Sequence, residues 1–236
     1  MPKTSLQLKR ARSSAARIPP GRVKLAEALK LLLERKEFGA ITTAQISRTS
    51  GVNEALIYKY FGDKRGLLHH VLGEFLDIHF AQLKTDLKGI KGALNKLRTL
   101  IRAHINLYET NRIVAKILLL EVRNYPGYFE SESYRQVQLY SRTMVKIIEE
   151  GVRKGEIRED IPVGSIRQAI LGGIEHVCLP GIIYNRPFST DELSGDLCAI
   201  LVDGIKAREP GAGIRAAAGA KKYRRERKDA SKRKDP

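Results

Sequence analysis

The sequence predicts an all-α chain of about nine helices. Apolar residues recur at helical spacing over most of its length, and strand-like alternation is almost absent. The periodic segments are separated by Gly-, Pro- and Asn-containing punctuation such as "NYPGY" and "KGEIREDIP". With 236 residues, 42% hydrophobic, the chain can bury a sizeable core as one large domain or two modest ones.

Residues 1–21 are polar and basic and close on Pro19-Pro20, the pattern of a flexible arm. "RVKLAEALKLLLERKEFGA" follows as a helix with Val23, Leu25, Ala26, Leu29, Leu32 and Leu33 on its stripe, ending near Gly39. Thr42 or Thr43 can cap a short second helix over about 43–49 that stops at Gly51. A third short helix spans about 53–60. Gly62-Asp63 then reads as a stop and a new N-cap, with "KRGLLHHVLGEFLDIHFAQL" periodic behind it. Further helices are expected near 90–109, 111–124, 130–154, 163–184 and 190–206, the last capped by Ser189 or Thr190 with Glu192 in its first turn. Residues 208–236 are Gly-, Ala-, Lys- and Arg-rich and read as a disordered basic tail.

Charge narrows the function. Forty-three Lys+Arg against 26 Asp+Glu give +17. Residues 1–24 hold seven cations and no acid, and 208–236 hold eleven cations and four acids, which leaves +3 for the body. Cationic ends suit nucleic acid or an anionic surface. Cys178 and Cys198 offer neither a disulfide framework nor zinc spacing. The N-terminus lacks an apolar h-region, and the run "RIVAKILLLEV" is broken by Lys116, so a cytoplasmic protein without a membrane partner is expected. No GxxxxGK[ST], GxGxxG, CxxC pair or Ser/His/Asp arrangement supports an enzyme, and neither catalytic residues nor a cofactor are expected. His70, Glu74 and Asp77 share a helix face at metal-like spacing, but such groups are ordinarily the wet side of an amphipathic helix, and no metal is assigned.

The two short helices joined at "SGV" are too short to stand alone. Ile46, Val52 and Ile57 supply an inward face, and Gly51 permits the positive φ of a tight turn. This is helix-turn-helix spacing. In such a unit Asn53, Glu54 and Ala55 enter the major groove first. Tyr58 and Lys59, one turn on, reach phosphates, with Tyr60 on the same aromatic and cationic stretch. Thr43 and Lys64, each opening a helix, add phosphate contacts.

"TTAQISRTSGVNEALIYKYFGDKRGLL" resembles the DNA-binding segment of the TetR/AcrR family of bacterial repressors. Thr43, Ile46, Gly51, Val52, Tyr58, Tyr60, Phe61, Lys64 and Leu67 match its pattern position by position. Ser47, Asn53 and Leu56 depart from it, and Leu56 removes a possible phosphate bond. The resemblance implies a DNA-binding domain over 22–68 and a regulatory and dimerisation domain over 69–207, with double-stranded palindromic operator DNA, a second copy of the chain and a small-molecule effector as partners. The later helices resemble those of the family's fatty-acid-degradation regulators, which sense long-chain acyl-CoA.

For the dimer seam the sequence offers Ile166, Ile170, Ile174, Val177, Cys178 and Ile182 on one helix, and Leu197, Ile200, Leu201 and Gly204 on the next. For the effector it offers His104, Tyr108, Arg123 and Asn124 among apolar residues including Ile117 and Leu120, with Glu175 and His176 on a later helix. The expected activity is therefore a homodimeric repressor released by an apolar or amphipathic ligand, the helix after Lys64 acting as the lever. The competing reading is an architectural protein that binds DNA non-specifically through its cationic ends.

Overall fold

The structure, a computed structural model, describes residues 18–207. The expected basic arm up to residue 17 and the tail from residue 208 lie outside the described residues. Two compact units make up the chain, the first ending at Glu74 and the second beginning at Phe75. Among the described residues there is no strand, only an isolated antiparallel bridge between Ile157 and Lys206.

The first unit holds α1 (Pro20–Leu33), α2 (Thr43–Ser50), α3 (Ala55–Phe61) and the start of α4 (Lys64–Leu87). Helix α1 begins on the proline, whose fixed φ suits a first turn and whose missing N–H costs nothing there. It buries Leu25, Ala26, Ala28, Leu29 and Leu33 against α2 and α3, whereas Val23, expected inside, is 47% exposed. The helix ends at Leu33, well short of Gly39, and a 3-10 turn over Phe38–Ala40 returns the chain to α2 with Phe38 buried.

Capping fixes the next breaks. The Thr42 hydroxyl accepts from the Gln45 N–H at 3.2 Å while the Gln45 carboxamide accepts from the Thr42 N–H at 3.1 Å, a reciprocal capping box. Gly51 has φ 64°, a left-handed conformation that a side chain would strain. After α3, Asp63 accepts from the Gly66 N–H at 2.6 Å and starts α4.

The second unit holds the rest of α4, then α5 (Ala93–Thr110), α6 (Arg112–Lys116), α7 (Glu132–Arg153), α8 (Val163–Ile183) and α9 (Thr190–Leu197). Helix α6 runs on as a π-turn over Ile117–Glu121, and α9 does the same over Cys198–Val202. Helix α5 is the hub, packing against α7, α8 and α9. Leu97, Leu100, Ile101 and Ile105 from α5 and Met144 and Ile148 from α7 are fully buried, each side chain contributing about 1.5–3 kcal/mol by leaving water. The N-terminus of α5 is capped from a distance, by the Glu156 carboxylate accepting from the Ala93 N–H at 2.6 Å. At the far end of α8, Arg112 donates to the carbonyls of Gly181 (3.1 Å) and Arg186 (2.7 Å). Ser189 caps α9, accepting from the Glu192 N–H at 3.3 Å, while Thr190 donates to Glu109.

The stripe expected at a dimer seam lies inside the protomer. Ile166, Ile170, Ile174, Cys178, Ile182 and Leu197 are all buried without any second copy, because α8 packs on α5 and α7, and α9 on α5. Val177 and Leu201 are half-buried, Gly204 is exposed and Ile200 is 68% exposed. The outward face of α8 is a different set, Ala169, Gly172, His176, Pro180 and Ile183.

Candidate nucleic-acid interface and effector cavities

In the first unit, α2 and α3 meet at a turn built almost wholly from hydroxyls. Ser47 donates to the Val52 carbonyl at 2.7 Å, Ser50 donates to the Ser47 carbonyl at 3.0 Å, and the Val52 N–H donates back to the Ser50 hydroxyl at 3.2 Å. Ile46 and Ile57 are completely buried beneath it, so the pair is held as one rigid element. The sequence shows the small residue at 47 but not its role as the bolt of the turn.

Outside that bolt, Asn53, Ala55, Tyr58 and Lys59 are exposed, and Thr43, Glu54 and Tyr60 are half-buried. Asn53 also shapes the helix: its carboxamide oxygen accepts from the Ala55 N–H at 2.8 Å, which leaves the amide NH2 facing outward at the start of α3. Tyr58 is 54% exposed, its hydroxyl available to an anionic partner, with Lys59 beside it. Thr43 is the first residue of α2, Thr42 having taken the cap. Lys64 is placed differently. Its ammonium turns back onto the 3-10 turn, donating to the carbonyls of Ile41 (2.6 Å) and Phe38 (3.1 Å) over the Phe38 ring at 4.4 Å. On this geometry Lys64 props the unit from within.

Farther along α4, His70 and Glu74 are partners of each other at 3.2 Å, with Arg22 and Lys30 also engaged. Among the described residues no group of three or more His, Cys, Asp and Glu could hold a metal ion.

In the second unit the residues proposed for an effector divide. His104 Nδ1 lies 2.9 Å from the Tyr140 hydroxyl, and the His104 ring meets Tyr108 and Tyr140 edge-on at 4.7 and 5.2 Å. Burial pushes the His104 imidazole down to about 4, so it is neutral at physiological pH, and burial pushes the phenols of Tyr108 and Tyr140 up, so both keep their protons. Arg123 pairs with Glu175 through two hydrogen bonds of 2.6 and 2.8 Å, which raise its pKa further and tie the end of the π-turn to α8. Ile117 is buried, while Leu120, Asn124 and His176 are exposed, with Asn124 donating to the Leu120 carbonyl.

Two cavities lie near this cluster, and of the eight proposed residues only His104 lines either. The larger is an open groove of about 720 Å³ between α4, α5 and α7. Phe80, Leu83, Leu87, Leu139 and Ile147 give it an apolar floor. Lys84, Lys88, Lys96, Arg142 and Lys146 rim it against two carboxylates, Asp77 and Glu150. Glu150 is already committed to Lys96 and Lys154, whose hydrogen bonds hold its carboxyl down to about 2. The smaller cavity, about 220 Å³, shares Phe80, Leu83 and Tyr140 with the groove and reaches His104 and His79. The sequence had signalled α4 and α7 only as amphipathic helices, and a groove made by residues some 60 positions apart has no local signature.

Comparison with known proteins fits these two units. Residues 25–71 match the model for bacterial regulatory proteins of the tetR family, and residues 69–204 match that for the C-terminal region of YsiA-like proteins. The fatty acid metabolism regulator protein of Bacillus subtilis (strain 168) is 26% identical over 162 residues, 69% of this chain and 84% of that protein. The transcriptional regulator FadR from Bacillus subtilis, solved in complex with stearoyl-CoA, superposes with a TM-score of 0.69 at 23% identity, covering 78% of this chain and 98% of that one. The fatty acid degradation regulator FadR from Bacillus halodurans gives the same TM-score at 18% identity over 81% of this chain and all of that one. No described helix is long and apolar enough to cross a membrane. Helix-turn-helix, helical second unit and family models over both together identify the chain as a member of the TetR family, a DNA-binding transcriptional regulator and not an enzyme.

Proposed function

We propose that this regulator is a homodimeric repressor that reads a palindromic operator and leaves it when a long-chain acyl-CoA, or a thioester of the same build, fills the groove of the second unit. The groove carries the reading: an apolar floor in about 720 Å³ is bordered by five cations, of which Lys96 is paired with Glu150, and this lining suits a ligand that is greasy in one part and phosphorylated in another. The acyl-CoA relative reported above supports that ligand class. Operator contact falls to Tyr58 and Lys59 on phosphates, the Asn53 amide and Ala55 near base edges, and Thr43 at the flank. Glu54 and Tyr60 are less open and serve as secondary contacts, while Lys64 acts through packing.

The dimer surface is proposed as the outward face of α8, Ala169, Gly172, His176, Pro180 and Ile183, continued on α9 by Ile200 and Gly204. Ala169 and Gly172 there allow the first turns of two copies of α8 to approach closely in a four-helix arrangement. Ligand binding acts by linkage, favouring the dimer that fits DNA poorly by no more than its differential affinity for the two states.

The test is fluorescence anisotropy on the chain's own upstream duplex and on a scrambled one, from about 50 to 200 mM salt, where phosphate contacts alone lose orders of magnitude. Preferential binding of the native duplex, released by stearoyl-CoA and not by CoA alone, is the expected result. Equal binding to both duplexes that collapses together with salt would assign the binding to the cationic ends instead.

A further inference from the structure

The smaller cavity adjoins the groove across a shared aromatic wall. Phe80 and Tyr140 stack at 4.8 Å with their planes 14° apart, and both line the groove and the smaller cavity. Behind them the lining is mixed: Ala103 and Leu107 stand beside His79, His104 and the exposed Gln82, Asp86 and Asn106. His104, half-buried, has Nδ1 engaged by Tyr140. His79, across on α4, has a buried Nδ1 with no hydrogen-bond partner. A buried polar atom left unpaired, as His79 Nδ1 is, costs about 1–3 kcal/mol, so this cavity is a poor place to put a methyl terminus.

The chemistry of the pair sets what would fit. Tyr140 keeps its proton and can donate it to His104 Nδ1. The neutral imidazole then carries its hydrogen on Nε2, as a donor. A donor on an uncharged ring suits a carbonyl or hydroxyl oxygen. It does not suit a carboxylate, which the Asp86 carboxylate in the same lining would repel.

We infer that the effector carries an uncharged oxygen function, a carbonyl or a hydroxyl, in the half of its apolar body away from the anionic head, and that His104 selects for it, with Tyr140 as its positioning residue. The inference rests on the groove being the effector site.

The experiment is calorimetric titration of the full chain with stearoyl-CoA, 12-oxostearoyl-CoA and 12-hydroxystearoyl-CoA. At least one oxygenated probe is expected to bind about three- to tenfold tighter than the saturated one, the worth of one added neutral hydrogen bond. His104→Leu should abolish that preference while stearoyl-CoA binds as well or better, and His104→Asn, which keeps a donor, should retain part of it. Tyr140→Phe, which changes one atom group and leaves the ring stack, should weaken the preference without loss of helical signal, so the inference stays testable if His104→Leu fails to fold. Equal binding of all three probes, or a preference for the saturated one, overturns the inference and leaves the groove reading intact. Binding of none of them overturns both.

Discussion

Lys59 and Lys64 stand five residues apart in the helix-turn-helix unit, and the sequence makes them look like two of a kind. Packing separates them: Lys59 points out, while Lys64 bends back onto the carbonyls of Phe38 and Ile41. Lys59→Ala is expected to weaken DNA binding uniformly across sequences and to lower the salt slope by about 1, with the melting temperature unchanged. Lys64→Met should instead cost about 1–2 kcal/mol of stability in denaturant melts, because it strands hydrogen-bond acceptors over a buried aromatic. A cation is legible in a sequence, but the carbonyls it will find more than twenty residues earlier are not. His104 makes the residue-scale prediction for pH. Its folded pKa of about 4 lies below the ordinary 6.5, so the unfolded chain takes up the proton first. This contribution to stability is complete above about pH 6.5 and is lost as pH falls toward 4, by at most on the order of 3 kcal/mol. Urea melts should show that loss in the native chain and a flatter profile in His104→Gln.

At the scale of the helices, breaks set by neighbouring residues were readable and breaks set by distant ones were not. Gly51, Gly62-Asp63 and Ser189 all end or begin elements where the local pattern places them, since each acts within four residues of itself. Helix α5 starts at Ala93, not near residue 90, because its first amides are satisfied by Glu156, 63 positions away. Glu156→Ala is expected to cost about 1–2 kcal/mol, the usual worth of a helix cap, with little change in the helical signal of circular dichroism. The early stop of α1 has the same kind of cause. Phe38 is buried under Lys64 and Arg65, and that burial holds the 3-10 turn where helical periodicity alone would have run on.

For the whole molecule, the apolar periodicity of α8 and α9 correctly announced burial but not by what. Ile166, Ile170, Ile174, Cys178 and Ile182 are covered by their own protomer, and the exposed face of α8 is the less apolar one, Ala169, Gly172, His176, Pro180 and Ile183, with Ile200 exposed after α9. A stripe of leucine and isoleucine carries no label saying which chain will bury it. Ile200→Lys tests the assignment: the protomer should melt as before, while sedimentation shows loss of the dimer and operator affinity falls with it. Ile174→Ala, by contrast, should cost about 2–5 kcal/mol of protomer stability through a core cavity.

The π-turns over Ile117–Glu121 and Cys198–Val202 carry one consequence for descent. A π-turn holds one residue more than the α-turn it replaces, and single π-turns are rare and concentrated at functional places. Each can therefore close into ordinary α-helix by the loss of a single residue, without moving the flanking turns far. Length differences of one residue among related chains should then collect at these two points inside helices rather than in the connecting loops, with Ile200 inside the second of them.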